Sequence, residues 1–484
     1  MNSFNIRRAR PVYINYFVIL FLAACITTQS FTLAVTAATN ADWTVLVFVQ
    51  ANNNLSPFAY KNFNDMAAVG SNQNLNILVE WHQPDQPGVW RYKVEKGKMI
   101  LDVCLPIETD GNSTKDLVDS MSWAVTKFPA QKYSLILWNH GIGILDPLWG
   151  KSRPWAKSGV FPLDASVMQE AQKIQIQGVT TDYVLDATIT NTRELVKNEQ
   201  LEVILSEELT KLITQDNNNN DINRGILFNE HSKTYMDNQA LVQALSEIKT
   251  KILKNKKIDL LGMDACLMAM VEVSYLARHY ADYFVGSQEV ELANGWNYLT
   301  FLSMIANNKV TPVQVAQNIV HSYELFYKEK INFYTQSAIN LSRMDIIKES
   351  IDNVVSKIRT CQTENKAVMN DAIKKARLSC LQFSAANYID LHSFYTELQK
   401  QLDNPVQPIP IKTSNNVKNL KISLAASMKV IEEAVIANVA GKNLSRARGL
   451  SIYFPQGIID GSYARTDFAK ECGWFDLIKD VSRN

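Results

Sequence analysis

Two short apolar runs end in residues that together can carry out acyl transfer. Ser134-Leu-Ile-Leu-Trp138 leads into Asn139-His140-Gly141, and Ile258-Asp-Leu-Leu-Gly-Met263 leads into Asp264-Ala265-Cys266. A thiol attacks a carbonyl well only as thiolate, and a helix N-terminus or a nearby imidazolium favours that form. Cys266 is therefore read as the nucleophile and His140 as its acid–base partner, with a helix expected over Leu267–Tyr280. Gly141 has no side chain, so its backbone N–H can approach a carbonyl oxygen and, with that of Cys266, form an oxyanion hole. In an open parallel sheet, ligands bind outside the carboxyl ends of the strands. Two such ends can share one cleft although 126 residues separate His140 from Cys266.

The rival residues have weaker settings. His82 ends an apolar run but is followed by Gln83-Pro84, with no glycine for an oxyanion hole. His231 falls in a polar loop, and His279, His321 and His392 fall in helical stretches. A free cysteine is most often a small buried hydrophobe, so it is the paired strand-end context that singles out Cys266. Cys104, Cys361, Cys380 and Cys472 have no comparable context and can form at most two disulfides in an oxidising compartment. No Walker A loop, dinucleotide fingerprint, His-Glu-x-x-His or Cys-x-x-Cys is present, which argues against NTPase, dehydrogenase and zinc-hydrolase chemistry. No cofactor is implied. Gln215-Asp-Asn-Asn-Asn-Asn-Asp221 faintly resembles a calcium loop but lacks the Gly at its sixth position and the Glu at its twelfth, and reads as solvated loop.

The elements that must position these residues are legible as short runs rich in Val, Ile, Leu and aromatics: Trp43–Val49, Leu75–Trp81, Tyr133–Trp138, Ile258–Gly262 and Tyr283–Gly286. Runs of that length and composition fit strands buried on both faces. Helical spacing over Ser113–Lys127, Asp237–Lys254 and Leu267–Tyr280 separates them. The alternation predicts an α/β domain with a mainly parallel sheet over residues 41–305. Residues 146–225 interrupt it with a basic, Trp- and Pro-containing stretch and the Asn-rich run. Residues 306–484 read as a mostly helical C-terminal region with a late strand at 449–454.

Composition excludes other classes. Of 484 residues, 46% are hydrophobic and 20% charged, enough to fill a core and unlike a disordered chain. With 49 basic and 48 acidic residues the formal charge is +1, which gives no general attraction to nucleic acid or to anionic membranes. Arg7, Arg8 and Arg10 precede a short apolar run, Tyr16–Ile26, and the small stretch Ala34-Val-Thr-Ala-Ala38 follows. A basic start, an apolar core too short to span a bilayer and a small-residue site read as a secretory signal over residues 1–38. Leu22-Ala-Ala-Cys25 also fits a lipobox, which would make Cys25 a lipid-bearing first residue. The mature chain is expected outside the cytoplasm, as an outer-membrane lipoprotein or as a periplasmic or secreted protein, with a lipid anchor as its one membrane contact.

The order His-Gly and then Asp-Ala-Cys, each after an apolar strand, resembles the caspase-like cysteine peptidases. Five strings resemble one branch of these, the clostripain family: Leu135-Ile-Leu-Trp-Asn-His-Gly141; Met263-Asp-Ala-Cys-Leu-Met268 with Glu272-Val273; Gly286-Ser-Gln-Glu289; Gly295-Trp-Asn-Tyr298; and Arg448-Gly-Leu-Ser-Ile-Tyr-Phe-Pro455. The resemblance implies a caspase-like sandwich, a Cys266/His140 dyad, cleavage of protein or peptide substrates after Arg or Lys, and activation by internal cleavage. It also implies that Asp264 binds the basic P1 side chain, chemistry that suits a carboxylate. Relatives carry an acid just before the Gly-Trp pair, where this chain has Asn294; Glu289 and Glu291 stand nearby as substitutes. The competing readings are a surface binding protein without turnover and a Cys amidohydrolase or transpeptidase, since hydrolysis and transfer share an acyl-enzyme.

Overall fold

The computed structural model describes residues 40–84, 86–105, 109–146, 225–403 and 415–482. The signal segment with Cys25, and all of the 146–225 insertion except its two end residues, lie outside the described residues. Nine strands form one sheet: β1 (Ala41–Gln50), β2 (Leu75–Gln83), β3 (Gln86–Glu95), β4 (Lys98–Leu105), β5 (Ala130–Trp138), β6 (Ile258–Asp264), β7 (Ala281–Gly286), β8 (Thr335–Asn340) and β10 (Val435–Ala440). A short pair, β9 (Tyr388–Asp390) and β11 (Ser451–Tyr453), makes a second, antiparallel sheet. The order in the large sheet is β10-β8-β7-β6-β5-β1-β2-β3-β4. Its five central strands are parallel, and antiparallel pairings flank them on both sides, so seven of the nine strands run the same way. All five apolar runs picked out in the sequence form the parallel centre.

The centre is fixed because its strands are apolar on both faces. In β1, Leu46 and Phe48 pack into one core, with Leu117 and Met121 of α2 (Thr114–Lys127) and Leu241 and Ala244 of α3 (Asn238–Glu247). Val45 and Val47 pack into the other, with Phe58 and Phe63 of α1 (Ser56–Val69), Phe301 of α5 (Tyr298–Asn307) and Ile319 of α6 (Pro312–Tyr327). Each such side chain, fully buried, contributes roughly 1.5–3 kcal/mol. The first core also takes α4 (Val271–Ala277), α7 (Met344–Ser379), α8 (Leu391–Asp403) and α9 (Asn415–Ala434), and the chain ends in α10 (Asp467–Glu471) and α11 (Trp474–Ser482). The result is a caspase-like α/β sandwich with helices on both faces of the sheet. Among the described residues no helix is long and apolar enough to cross a membrane.

Chain from beyond residue 305 completes the sheet, because β8 and β10 extend it past β7. β8 carries Thr335, Gln336 and Ser337, polar yet buried. Thr335 Oγ1 accepts from the backbone N–H of Gln288 at 3.0 Å and of Glu289 at 2.9 Å, which pins the segment that follows β7. The helix expected from Leu267 starts only at Val271. Leu267 takes a positive φ of 65°, rare for a branched side chain, and the chain turns there instead of entering a helix. All five described cysteines are free thiols, so Cys104, Cys361, Cys380 and Cys472 form no disulfides with one another.

Candidate active site

Register brings the two strand ends together. β5 and β6 are adjacent and parallel with Trp138 opposite Asp264, so His140 and Cys266 each lie two residues past a paired position. β1 lies on the other side of β5 with Val49 opposite Trp138, which brings the loop after Gln50 alongside. Asn139 ties these ends to one another: its Oδ1 accepts from the Phe228 N–H at 2.8 Å, and its Nδ2 donates to the carbonyls of Phe228, at 3.1 Å, and Gln50. His140 stands on this clamp with Nε2 2.7 Å from Asn54 Oδ1, the edge of the Phe228 ring 6.4 Å away, centroid to centroid. Asn54 is itself held through its backbone N–H, which donates to Glu230 Oε2 at 3.2 Å. Nothing in the sequence singles Asn54 out, since Asn52-Asn53-Asn54 has the composition of any polar turn.

His140, Cys266, Asp264 and Glu291 line one cavity with Leu55, Trp138 and Gly295. Its free space is about 20 Å³, room for a single water. Gly141 lies so near the nucleophile's backbone that an added Cβ would stand 2.4 Å from the Cys266 carbonyl oxygen. Among the described residues none accepts a hydrogen bond from the Gly141 or Cys266 amide.

The thiol is enclosed rather than activated. The Glu291 N–H donates to Cys266 Sγ at 3.3 Å, and the thiol donates back to the Glu291 carbonyl at 3.7 Å. Burial, with the charges of Glu291, Glu289 and Asp264, pushes the thiol up to about 12. The expectation that a helix N-terminus favours the thiolate is corrected: α4 begins five residues later, and the nearby acids oppose the thiolate.

The expected pocket acid, Asp264, is buried in the cavity wall. Its Oδ2 accepts from the Trp296 N–H at 3.2 Å and the Tyr298 hydroxyl at 2.9 Å. Burial pushes Asp264 up to about 6, and burial and Asp264 together push Glu291 well above the usual carboxylate range. Asn294 is buried too but is not part of the cavity wall; its backbone carbonyl accepts from Asn62 Nδ2 at 3.0 Å and its side-chain oxygen has no donor. Glu289 points elsewhere, with both carboxylate oxygens 3.1 Å from the Ser384 N–H. Of the two substitutes suggested by sequence, Glu291 is the one in the site. Among the described residues no group of three His, Cys, Asp or Glu side chains is placed to hold a metal ion.

The profile of the clostripain family matches residues 47–156 and 163–480. No curated protein sequence matches the chain. A secreted C11 cysteine protease from Bacteroides thetaiotaomicron, solved with an irreversible peptide inhibitor, aligns over 90% of this chain and 99% of its own, at 17% identity and a TM-score of 0.55. An inactive zymogen C11 protease from Parabacteroides distasonis aligns over 90% and 98%, at 16% identity and a TM-score of 0.52. At these identities the likeness is one of fold. The family profile spans most of the chain, including both strand ends that bear His140 and Cys266, and this protein belongs to the clostripain family of cysteine peptidases.

Proposed function

We propose that this protein is an exported cysteine endopeptidase that cleaves after Arg or Lys, with Cys266 as nucleophile and His140 as general base. The observation that carries the reading is the β5–β6 register, which gives the imidazole and the thiol one cavity at matched strand ends. With Nε2–H donating to Asn54, the ring's basic nitrogen is Nδ1, and Asn54 acts as a positioning residue. Nδ1 takes the thiol proton as Sγ attacks the scissile carbonyl. The amides of Gly141 and Cys266 hold the oxyanion. The imidazolium then gives its proton to the leaving amine, and a thioester remains on Cys266. Water, deprotonated by His140, attacks that thioester and releases the carboxylic acid and the thiol. Basic P1 selectivity is supported by Asp264, a buried carboxylate in the cavity wall.

The enclosed thiol and the water-sized cavity fit a resting, uncut chain. The insertion's ends meet on one residue: Tyr235 donates its hydroxyl to Asp146, and Gly225 packs against its ring. Cleavage between them would leave Asp146 and Gly225 held at Tyr235. Export would follow from the basic, apolar N-terminal segment, with Cys25 as the site of a lipid anchor; the mass of membrane-extracted protein reads this directly. The test of the function is a library of short amide substrates varied at P1, turned over by wild type, Cys266→Ala and His140→Ala. Hydrolysis after Arg or Lys by wild type alone is the expected result. A folded Cys266→Ala protein with full activity would end the assignment.

A further inference from the structure

The two amides assigned to the oxyanion hole lie on different segments, and the one that carries Gly141 has no backbone ladder to hold it. Gly141 and Gly143 flank Ile142, and glycine gives up more conformational freedom on being fixed than any other residue. Among the described residues no backbone group of residues 141–145 bonds to another backbone group. Side chains hold the segment instead. The Ile144 N–H donates to Met270 Sδ at 3.3 Å, and the Ile144 carbonyl accepts from Asn238 Nδ2 at 2.7 Å. Nearest in the chain to Gly141, the Tyr388 hydroxyl donates to the Ile142 carbonyl. Gly143 has a φ of 72°, and an added Cβ there would stand 3.0 Å from Tyr388 Cε2, so the tyrosine ring packs directly on this backbone. Burial holds the hydroxyl protonated, well above its ordinary value, so it remains a donor.

Tyr388 is itself rigidly placed. It is 1% exposed, lies opposite Tyr453 in the β9–β11 pair, and donates its N–H to the Ala385 carbonyl at 2.8 Å. The same pair reaches the other half of the hole. The Ser451 N–H of β11 donates to the Ala269 carbonyl at 2.9 Å, and Ser451 bridges to Met270 in parallel register. Ala269 lies three residues past Cys266. One small sheet therefore grips both the segment after His140 and the segment after Cys266. We propose that the β9–β11 pair is a positioning element of the active site, and that Tyr388, acting through the Ile142 carbonyl, is the positioning residue that sets the Gly141 amide against the Cys266 amide for one oxyanion. This rests on the peptidase reading, since an acyl-transfer site is what has an oxyanion to hold. It also gives a task to the string 448–455, which contains β11 and has no residue in the cavity wall. An oxyanion-hole donor works within a few tenths of an ångström, so a tether on a glycine-flanked segment acts on the chemistry without touching substrate.

Tyr388→Phe keeps the ring and its packing and removes one hydroxyl. The expected result is a kcat about tenfold below wild type with KM unchanged, the scale of one net hydrogen bond felt in the transition state. A peptide aldehyde with Arg at P1, whose hemithioacetal oxygen needs the hole, should lose affinity by a similar factor. Alkylation of Cys266 by iodoacetamide, a displacement that forms no oxyanion, should keep its rate. Tyr275→Phe removes another hydroxyl from the same core, bonded to Glu471 at 2.6 Å, and should keep the wild-type kcat. A Tyr388→Phe protein with kcat within about twofold of wild type overturns the proposal. An equal loss in Tyr275→Phe overturns it too, because general loosening then accounts for the effect. The last arm needs no turnover: amide hydrogen exchange over residues 141–145 should be about tenfold faster in Tyr388→Phe than in wild type. Unchanged exchange overturns the tether. Faster exchange, with a wild type that cleaves no peptide, would keep Tyr388 as the tether of this segment and discard the peptidase reading.

Discussion

Replacing Gly141 with Ala tests the oxyanion assignment through one methyl group. The new Cβ would lie 2.4 Å from the Cys266 carbonyl oxygen, 2.9 Å from Met268 Sδ and 3.1 Å from the Ala265 Cβ. Ordinary contact begins at 3.4 Å, so the two backbones must part by about 1.0 Å. Met268 is flexible and can yield. The Cys266 carbonyl is not free to do so, because the next residue, Leu267, is already at a positive φ and its N–H is bonded to the Glu289 carbonyl at 3.1 Å. Most of the shift therefore falls on residue 141. An oxyanion-hole donor works at about 2.7–3.1 Å, and a displacement of this size takes it out of range; losing one donor costs roughly 2.7–4 kcal/mol, or 10²–10³ in kcat. KM should change little, since the donor acts on the oxyanion and not on the ground-state carbonyl. The assay is kcat and KM on the fastest amide substrate, with the thiol's alkylation rate and the melting temperature as controls for an intact site and fold. A folded Gly141→Ala protein with kcat within about threefold of wild type would refute the oxyanion role, since such a loss is under 1 kcal/mol.

Three further outcomes are expected. Asn54→Ala should lower kcat by roughly tenfold to a hundredfold, less than the 10²–10⁴ of losing the base itself; Asn54→Asp should move the acidic limb of the pH profile upward, because a carboxylate beside Nε2–H favours the imidazolium. Wild-type kcat in the Ala variant would show that this contact positions nothing. Glu272 on α4 is buried, with Oε1 accepting from the Tyr453 N–H and the Tyr463 hydroxyl, each at 2.9 Å, and Oε2 without a donor. Burial pushes it up to about 7 from an ordinary 4.5, so its proton contributes about 3 kcal/mol that is fully present below the ordinary value and lost as pH rises through 7. Chemical denaturation of wild type and Glu272→Gln across that window should show the difference between them changing by this amount; a parallel pair of curves would contradict it. Finally, purified wild type should cut itself within 146–225 into two chains that co-migrate on a native column, while Cys266→Ala stays whole. A fully active wild type that remains one chain would show that no cleavage is needed.

The strands of the parallel centre are legible because burial on both faces requires continuous apolar runs, and a run has ends that can be read. His140 and Cys266 were found at such ends. The edges of the sheet follow another rule. β8 presents Thr335, Gln336 and Ser337 to the interior, where Thr335 and Gln336 bond to the segment after β7 and Ser337 to the Gly449 carbonyl, so no apolar run marks it. β4 leaves Leu101 and Leu105 exposed, and β3 alternates, so neither reads as a strand buried on both faces. Asn54 was not legible as a site residue for a related reason, and Glu291 only through the family resemblance, as one of two substitutes. Each sits in a loop whose composition is unremarkable; the register of β1 on β5 brings Asn54 to His140, and a hydrogen bond from β8 holds Glu291 in the cavity wall. The delayed start of α4 depends on the backbone angle of Leu267, which no side-chain pattern encodes.

The neutral thiol is compatible with the proposed chemistry if an acid that suppresses it is also one that meets the substrate. Burial comes first among the causes, followed by Glu291, Glu289 and Asp264. A preformed thiolate–imidazolium pair is thus disfavoured, and in the proposed mechanism His140 takes the proton as the bond to carbon forms. A P1 cation beside Asp264 would offset a carboxylate that opposes the thiolate, and the peptide would displace water from the cavity. The thiol should accordingly become more acidic when a basic side chain is bound than when an uncharged one is. On this electrostatic ground, selectivity for a basic P1 residue would appear in kcat as well as in KM, since Asp264 would act both on the bound side chain and on the sulfur that attacks beside it.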